Sequence, residues 1–301
     1  MELDEPQQPG VLVRETRDFT MAQDWSTVLA SAGITHELRP VDGAFRITVD
    51  FADLDAAANS LEAFDKEARE DREERAARVA DQPDAPRSTL GLWTALLLVA
   101  FHLVAGPWEA AEPSRWFSVG NASAEAILRG QWWRTVTALM LHADLLHLTG
   151  NVVAALIFVS AVGRSLGPGL GALAILLAAA SANLLTAAVH RTGHLSVGAS
   201  TATFAALGIL AGVGAWQRWR SLPLRQRAWL PIGAALGLFA MLGVGQHSDV
   251  FAHLFGLGMG CVLGIVAARA LPRRPGAVIQ GVLVSGALAV ISGCWWLAFH
   301  R

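Results

Sequence analysis

The chain has 301 residues, of which 53% are hydrophobic and 16% charged, with a net charge of −2. Soluble domains carry about 25% charged residues, so a wholly soluble chain is excluded, and scattered arginines at near-zero net charge give no footprint for nucleic acid. The two cysteines, Cys261 and Cys294, lie in apolar stretches and form neither a disulfide framework nor a zinc site. Acidic charge is concentrated in the N-terminal part. After Arg87 the only acidic residues are Glu109, Glu112, Glu125, Asp144 and Asp249.

In chain order, Val11, Val13 and Glu15 alternate with Leu12, Arg14 and Thr16 as in a strand. Met21, Trp25, Val28, Leu29 and Ala32 share one helical face, and Gly33 supplies a stop. Leu38 to Val41 lead into Asp42-Gly43, a type I′ hairpin signal. Phe45, Ile47, Val49 and Phe51 alternate with polar residues as in a half-buried strand. A second helix carries Leu54, Ala57, Leu61 and Phe64 on one face and runs into a charged stretch to Arg78. These elements predict a small α+β domain over 1–80, with no catalytic cluster. Asp81-Gln82-Pro83-Asp84-Ala85-Pro86 predicts a linker over 81–88. No leader is expected, because the N-terminus is acidic and polar and the first apolar run begins near Leu90.

Apolar runs near the roughly 20 residues needed to cross a bilayer then recur. They are expected at Thr89–Gly106, Leu145–Arg164, Leu170–His190, Ala199–Trp216, Trp229–Gly245, Val250–Leu271 and Ala277–Phe299. Six spans over 89–271 and a further helix over 277–301 make an α-helical polytopic membrane protein. Arg218, Arg220, Arg225 and Arg227 lie between the fourth and fifth spans, Arg269, Arg273 and Arg274 follow the sixth, and Arg164 follows the second. The positive-inside rule places these arginines and the N-terminus in the cytoplasm.

Ionisable residues inside spans are costly and point to function. His147 and Asn151 open the second span, Ser200 opens the fourth, and His253 lies one turn into the sixth. Even-numbered spans start from the outer face, so three helices bring these residues to one depth. Serine needs a base to take its proton, and neutral histidine is the usual one. Ser200 follows Gly198-Ala199 at a helix start, where free backbone N–H groups and the dipole favour negative charge. His147 and Asn151 share a helix face and could add donors. Gly256, Gly260 and Gly264 recur every four residues, so the sixth span can approach the serine helix with its small Ala202, Ala205 and Ala206. Taken singly, a serine in a Gly/Ala-rich span is more often a packing residue, and a membrane histidine can simply pair with a carbonyl. Asp249, four residues before His253, is a candidate third member of the pair but sits a turn closer to water. His102, His190, His194 and His300 read as structural or interfacial.

The joint pattern resembles the rhomboid intramembrane serine proteases, over roughly residues 93–268. It rests on Trp133-Arg134 in the first loop, His142 through His147 to Asn151, Gly198-Ala199-Ser200, and Ala252-His253 followed by Gly256 and Gly260. The resemblance implies a six-helix rhomboid bundle over 89–271. It implies Ser200 as nucleophile, His253 as general base and acid, and His147, Asn151 and the Ser200 amide as oxyanion donors. Phe204 would stack on the histidine, and Trp132, Trp133 and Arg134 would belong to a loop partly in the outer leaflet. The family commonly has glycine after the serine; here it is Thr201. The implied activity is a Ser–His dyad endopeptidase acting on transmembrane substrates in the bilayer, without metal or cofactor. The expected place is the cell (inner) membrane, with the site opening to the extracytoplasmic side. The N-terminal domain resembles cytosolic domains of some bacterial members and is a candidate for self-association. The competing readings are an inactive rhomboid-like protein that binds client helices, and a transporter, which would place charges in the spans and show paired repeats. A zinc protease is disfavoured because His142 and His147 are five apart with no His-Glu-x-x-His helix.

Overall fold

The structure is a computed structural model and describes residues 10–80, 88–108, 113–221, 225, 227–244, 248–271 and 273–301. The expected linker residues 81–87 and the end of the fifth span at Gly245 lie outside the described residues. The chain divides into two compact units, Met1–Asp84 and Ala85–Arg301.

The first unit runs β1 (Val11–Thr16), α1 (Phe19–Ser31), β2 (His36–Val41), β3 (Ala44–Val49) and α2 (Leu54–Ala80). Asp18 caps α1 by accepting from the amides of Thr20 and Met21. Gly33 then takes φ +72°, which glycine adopts without steric cost. Asp42 and Gly43 both have positive φ, as a type I′ turn requires, and β3 pairs antiparallel with both β2 and β1. Trp25, Leu29, Ile47, Val49, Ala57 and Leu61 close the core between sheet and helices. Phe51 departs from the alternation read in the sequence. Its strand ends at Val49, and Phe51 opens a 3₁₀ turn, 76% exposed.

The second unit is built of apolar helices: α3 (Leu90–Ala105), the short α4 (Arg115–Gly120), α5 (Ala124–Leu128) and α6 (Arg134–Thr137), then α7 (Leu145–Ala154), α8 (Ser160–Leu166), α9 (Pro168–His190), α10 (Ser200–Arg220), α11 (Leu230–Leu242), α12 (Val250–Ala270) and α13 (Ala277–His300). A π turn over Ala155–Val159 joins α7 to α8 in one continuous helix. Four helices among the described residues are long and apolar enough to cross a membrane: Leu145–Leu166, α9, α12 and α13. At 16 and 13 residues, α3 and α11 rise only about 24 and 20 Å, short of a roughly 30 Å hydrocarbon core. At 21 residues, α10 includes a polar last turn, Gln217 to Arg220, that leaves its apolar part short, and Ser200, Thr201 and Thr203 dilute that part further. It packs within the bundle against α9, α11 and α12, so lipid solvation of these groups is not required.

Two features tie the bundle around α10. A short ladder pairs β4 (Ala122–Ser123) with β5 (Leu195–Ser196), joining the first loop to the segment that leads into α10. Glycines on both α10 and α12 bring the two backbones together. A Cβ on Gly256, Gly260 or Gly264 would overlap the carbonyls of Thr201, Ala205 and Ile209, and one on Gly208 or Gly212 would overlap those of Leu257 and Cys261.

Candidate active site

The chain entering α10 is held at two successive residues. The Gly198 amide donates to the Ala138 carbonyl at 2.9 Å. Its φ of +126° is open to glycine alone, and a Cβ there would lie 2.5 Å from Cε1 and 2.6 Å from Nε2 of His147. The Ala199 amide donates to Nε2 of His142 at 3.4 Å. Burial, with the neighbouring charge of His147 second, pushes the His142 imidazole down to about 4, so it stays neutral and able to accept. Ser200 follows as the first residue of α10, its amide among those that have no partner within the helix.

His253 lies on the first turn of α12 and is 5% exposed. Its Nδ1 is 3.0 Å from the Gly243 carbonyl and its Nε2 is 2.8 Å from Ser200 Oγ. A carbonyl can only accept, so Nδ1 carries the proton. Nε2 is left with a lone pair facing the serine hydroxyl. Gly243 ends α11, so the fifth long helix of the expected order supplies the orienting group from its carbonyl end. The Phe204 ring lies 4.6 Å from that of His253 at 31°, one turn along α10 from the serine. Glycines at 256 and 260 set this distance through the helix contact rather than by touching the pair. Thr201 is 3% exposed, and its carbonyl faces Gly256.

Ser200, His253, His147 and Asn151 line one cleft of about 780 Å³. His147 is fixed by its amide, which donates to the capping Asp144 carboxylate at 2.8 Å, and its ring lies against His142. Asn151 departs from the expected free donor. Its Nδ2 donates to the His147 carbonyl at 2.9 Å, within its own helix. Trp133 and Arg134 lie away from the cleft. Trp133 is buried, and the Arg134 guanidinium donates to Gln131 Oε1 and to the carbonyls of Asn121 and Ser118. That arginine knits the first loop together.

Asp249 does not reach His253. Its Oδ1 caps α12 at the Ala252 amide, and its Oδ2 accepts from His194 Nε2 at 2.8 Å. Burial opposes its charge, but the His194 and Ala252 hydrogen bonds outweigh this and hold the carboxyl below its ordinary value.

Residues 129–270 match the Rhomboid domain. The Bacillus subtilis rhomboid relative YdcA is 26% identical over 148 residues, 49% of this chain and 73% of the relative. Rhomboid-like protease 3 of Toxoplasma gondii is 35% identical over 150 residues, 48% of this chain and 55% of the relative. The rhomboid protease GluP of Bacillus subtilis is 26% identical over 212 residues, 69% of this chain and 40% of the relative. This chain carries a rhomboid domain over residues 129–270.

It is therefore a multi-pass membrane protein. It spans about half the length of the Toxoplasma relative and less of GluP. Within the rhomboid domain, sequence reasoning missed Gly243, Ala138 and Asp144. Asp144 had a signal, an acidic residue just ahead of an apolar helix. Gly243 and Ala138 act through backbone carbonyls, which any residue could supply, so no side-chain pattern marks them.

Proposed function

We propose that the protein is a serine endopeptidase that cuts peptide bonds in or near the transmembrane segments of membrane-protein substrates. The observation that carries this reading is the 2.8 Å contact from Ser200 Oγ to a His253 whose other nitrogen is occupied by Gly243. Ser200 Oγ attacks the scissile carbonyl carbon while its proton passes to His253 Nε2. The tetrahedral oxyanion is met by the Ser200 amide at the start of α10 and by His147. Asn151 adds its amide by leaving the His147 carbonyl. Collapse breaks the C–N bond, and His253 gives its proton to the departing amine. Water then attacks the acyl-enzyme, with His253 again taking and returning a proton, and Ser200 is regenerated.

The resemblance to the family suggests substrates with small residues near the cut and a helix that unwinds there. The arginines after the second, fourth and sixth spans support a cytoplasmic N-terminus in the cell membrane and a cleft open to the extracytoplasmic side. Thr201 in place of the family's usual glycine favours one rival, a rhomboid-like protein that binds client helices without cutting them.

The test is cleavage of a transmembrane substrate by the purified protein in proteoliposomes. Wild type should cleave and take a fluorophosphonate label. Ser200→Ala and His253→Ala should each lose at least about a thousandfold in kcat/KM. Activity that survives Ser200→Ala would sink the assignment, and a folded wild type that neither labels nor cleaves would favour the binding reading.

A further inference from the structure

Beside the Ser200–His253 pair lies a second polar cluster that the hydrolytic chemistry does not use. His190 ends α9, His194 follows in the next loop, and Asp249 stands ahead of α12. One ligand-capable atom from each lies within 4.8 Å of the others, and all three residues are half-buried. The imidazoles stack at 4.0 Å and 6°. We propose that His190, His194 and Asp249 form a binding site for a divalent transition metal of the zinc class.

The donor set fits that ion. Two imidazoles and one carboxylate are borderline ligands suited to Zn²⁺, and three protein ligands leave a fourth position for water. Zinc bonds of about 2.0–2.2 Å set neighbouring ligand atoms roughly 3.3 Å apart, so the widest pair must close by at most about 1.5 Å while the His194–Asp249 pair, now at 2.8 Å, opens slightly. Side-chain rotation can supply this because none of the three is locked in the core. The ion would take the place of the proton between His194 Nε2 and Asp249 Oδ2, and that proton would move to Nδ1 of the same ring.

The backbone is bent to bring the two histidines together. Arg191 has φ +63° and Gly193 φ +72°. Among the described residues the only other non-glycine with positive φ is Asp42, in its hairpin turn. Arg191, at φ +63° and ψ −52°, centres a γ-turn closed by the Thr192 amide on the His190 carbonyl, a strained backbone that costs on the order of 1 kcal/mol or more. The reversal it permits returns His194 onto the face of His190.

The position also has consequences. His194 lies six residues before Ser200, and Asp249 four before His253. Both line the mouth of the cleft. An ion bound there fastens the end of α9, the segment leading to Ser200 and the start of α12 to one another.

The test uses the full-length Ser200→Ala protein in detergent, stripped with a chelator. The readouts are Co²⁺ absorption and thermal stability, so the outcome is independent of whether the protein is a protease. One equivalent of Co²⁺ should give a visible ligand-field band that Zn²⁺ abolishes. The melting temperature should rise with the logarithm of free Zn²⁺ once the site saturates. His190→Ala and His194→Ala should each weaken Co²⁺ binding more than about tenfold, while His36→Ala, in the N-terminal unit, should not. Absence of both the band and the thermal shift in the Ser200→Ala parent would overturn the proposal. So would undiminished binding in the His190→Ala/His194→Ala double variant.

Discussion

Two seams in the membrane unit hold helices by different means. Between α10 and α12 the contact is backbone on backbone. Five glycines alternate across it, and each occupies a place where a methyl group would strike a carbonyl. Between α9 and α13 one glycine, Gly169, meets the facing backbone at the Gln280 carbonyl, and the polar link is a single side-chain amide. Gln280 is 7% exposed in an apolar helix; its Oε1 accepts from the amides of Gly169 and Leu170, and its Nε2 donates to the Leu166 carbonyl. Those three groups belong to the break at Gly167-Pro168, where the end of α8 and the start of α9 leave backbone without intrahelical partners. Farther along α13, Trp295 and Phe299 pack on Trp116. The first seam fixes a distance along its whole length, and the second mainly satisfies hydrogen bonds at one point. Only the first lies under Ser200 and His253.

The comparison breaks most decisively at Gly260. Gly260→Val puts a branched side chain into the Ala205 backbone, and α12 must move away from α10. The expected cost exceeds about 3 kcal/mol, at the upper end for overpacking, with loss of fluorophosphonate labelling at Ser200 in whatever fraction stays helical. Gly258 is the internal control, because a Cβ there meets nothing within 4 Å. Gly258→Ala should keep both melting temperature and labelling. Equal damage from the two variants would show that flexibility of α12, rather than close approach, is what its glycines supply.

The two seams also differ in how far they could be read from the sequence. The four-residue repeat of Gly256, Gly260 and Gly264 announces a close helix contact by itself, and it pointed to the serine helix. The partners were less legible. Of the small residues expected at the seam, Ala205 is there, while Ala202 and Ala206 pack in clusters with α9. Helical spacing gives a face but not its rotation within a bundle. Gln280 was not legible, since one amide in an apolar span shows that a partner exists without naming it. The same holds for the orienting carbonyl of Gly243. Asp249 was legible as a polar neighbour of His253, but its true partner, His194, is 55 residues away across a loop. In the N-terminal unit the caps and turn signals marked the elements well, because those signals are local. Phe51 misled because alternation continued past the point where the strand stopped.

A smaller effect is expected at the second seam. Gln280→Leu removes the partners of two amides and one carbonyl while preserving bulk. The unsatisfied groups should cost roughly 2 kcal/mol, since polar contacts within membranes contribute modestly. Reversible unfolding in mixed micelles would measure it. The folded fraction should label as wild type does, because Gln280 is remote from the cleft. A loss of labelling out of proportion to the loss of stability would mean that α13 also sets the distance between α10 and α12.

The smallest effect separates a dyad from a triad. If the α10–α12 seam and the Gly243 carbonyl suffice to hold His253, a carboxylate on the next turn adds little. Asp249→Asn keeps an N-cap for α12 and loosens the His194 contact, so kcat in chelated buffer should fall by less than about tenfold, near 1.4 kcal/mol. A buried acid that orients the base directly would instead cost about 10⁴ in kcat when replaced by its amide. The structure gives the reason to expect the smaller figure. The proton on His253 Nδ1 already has an acceptor at 3.0 Å, and that acceptor is a backbone carbonyl that no side-chain substitution removes.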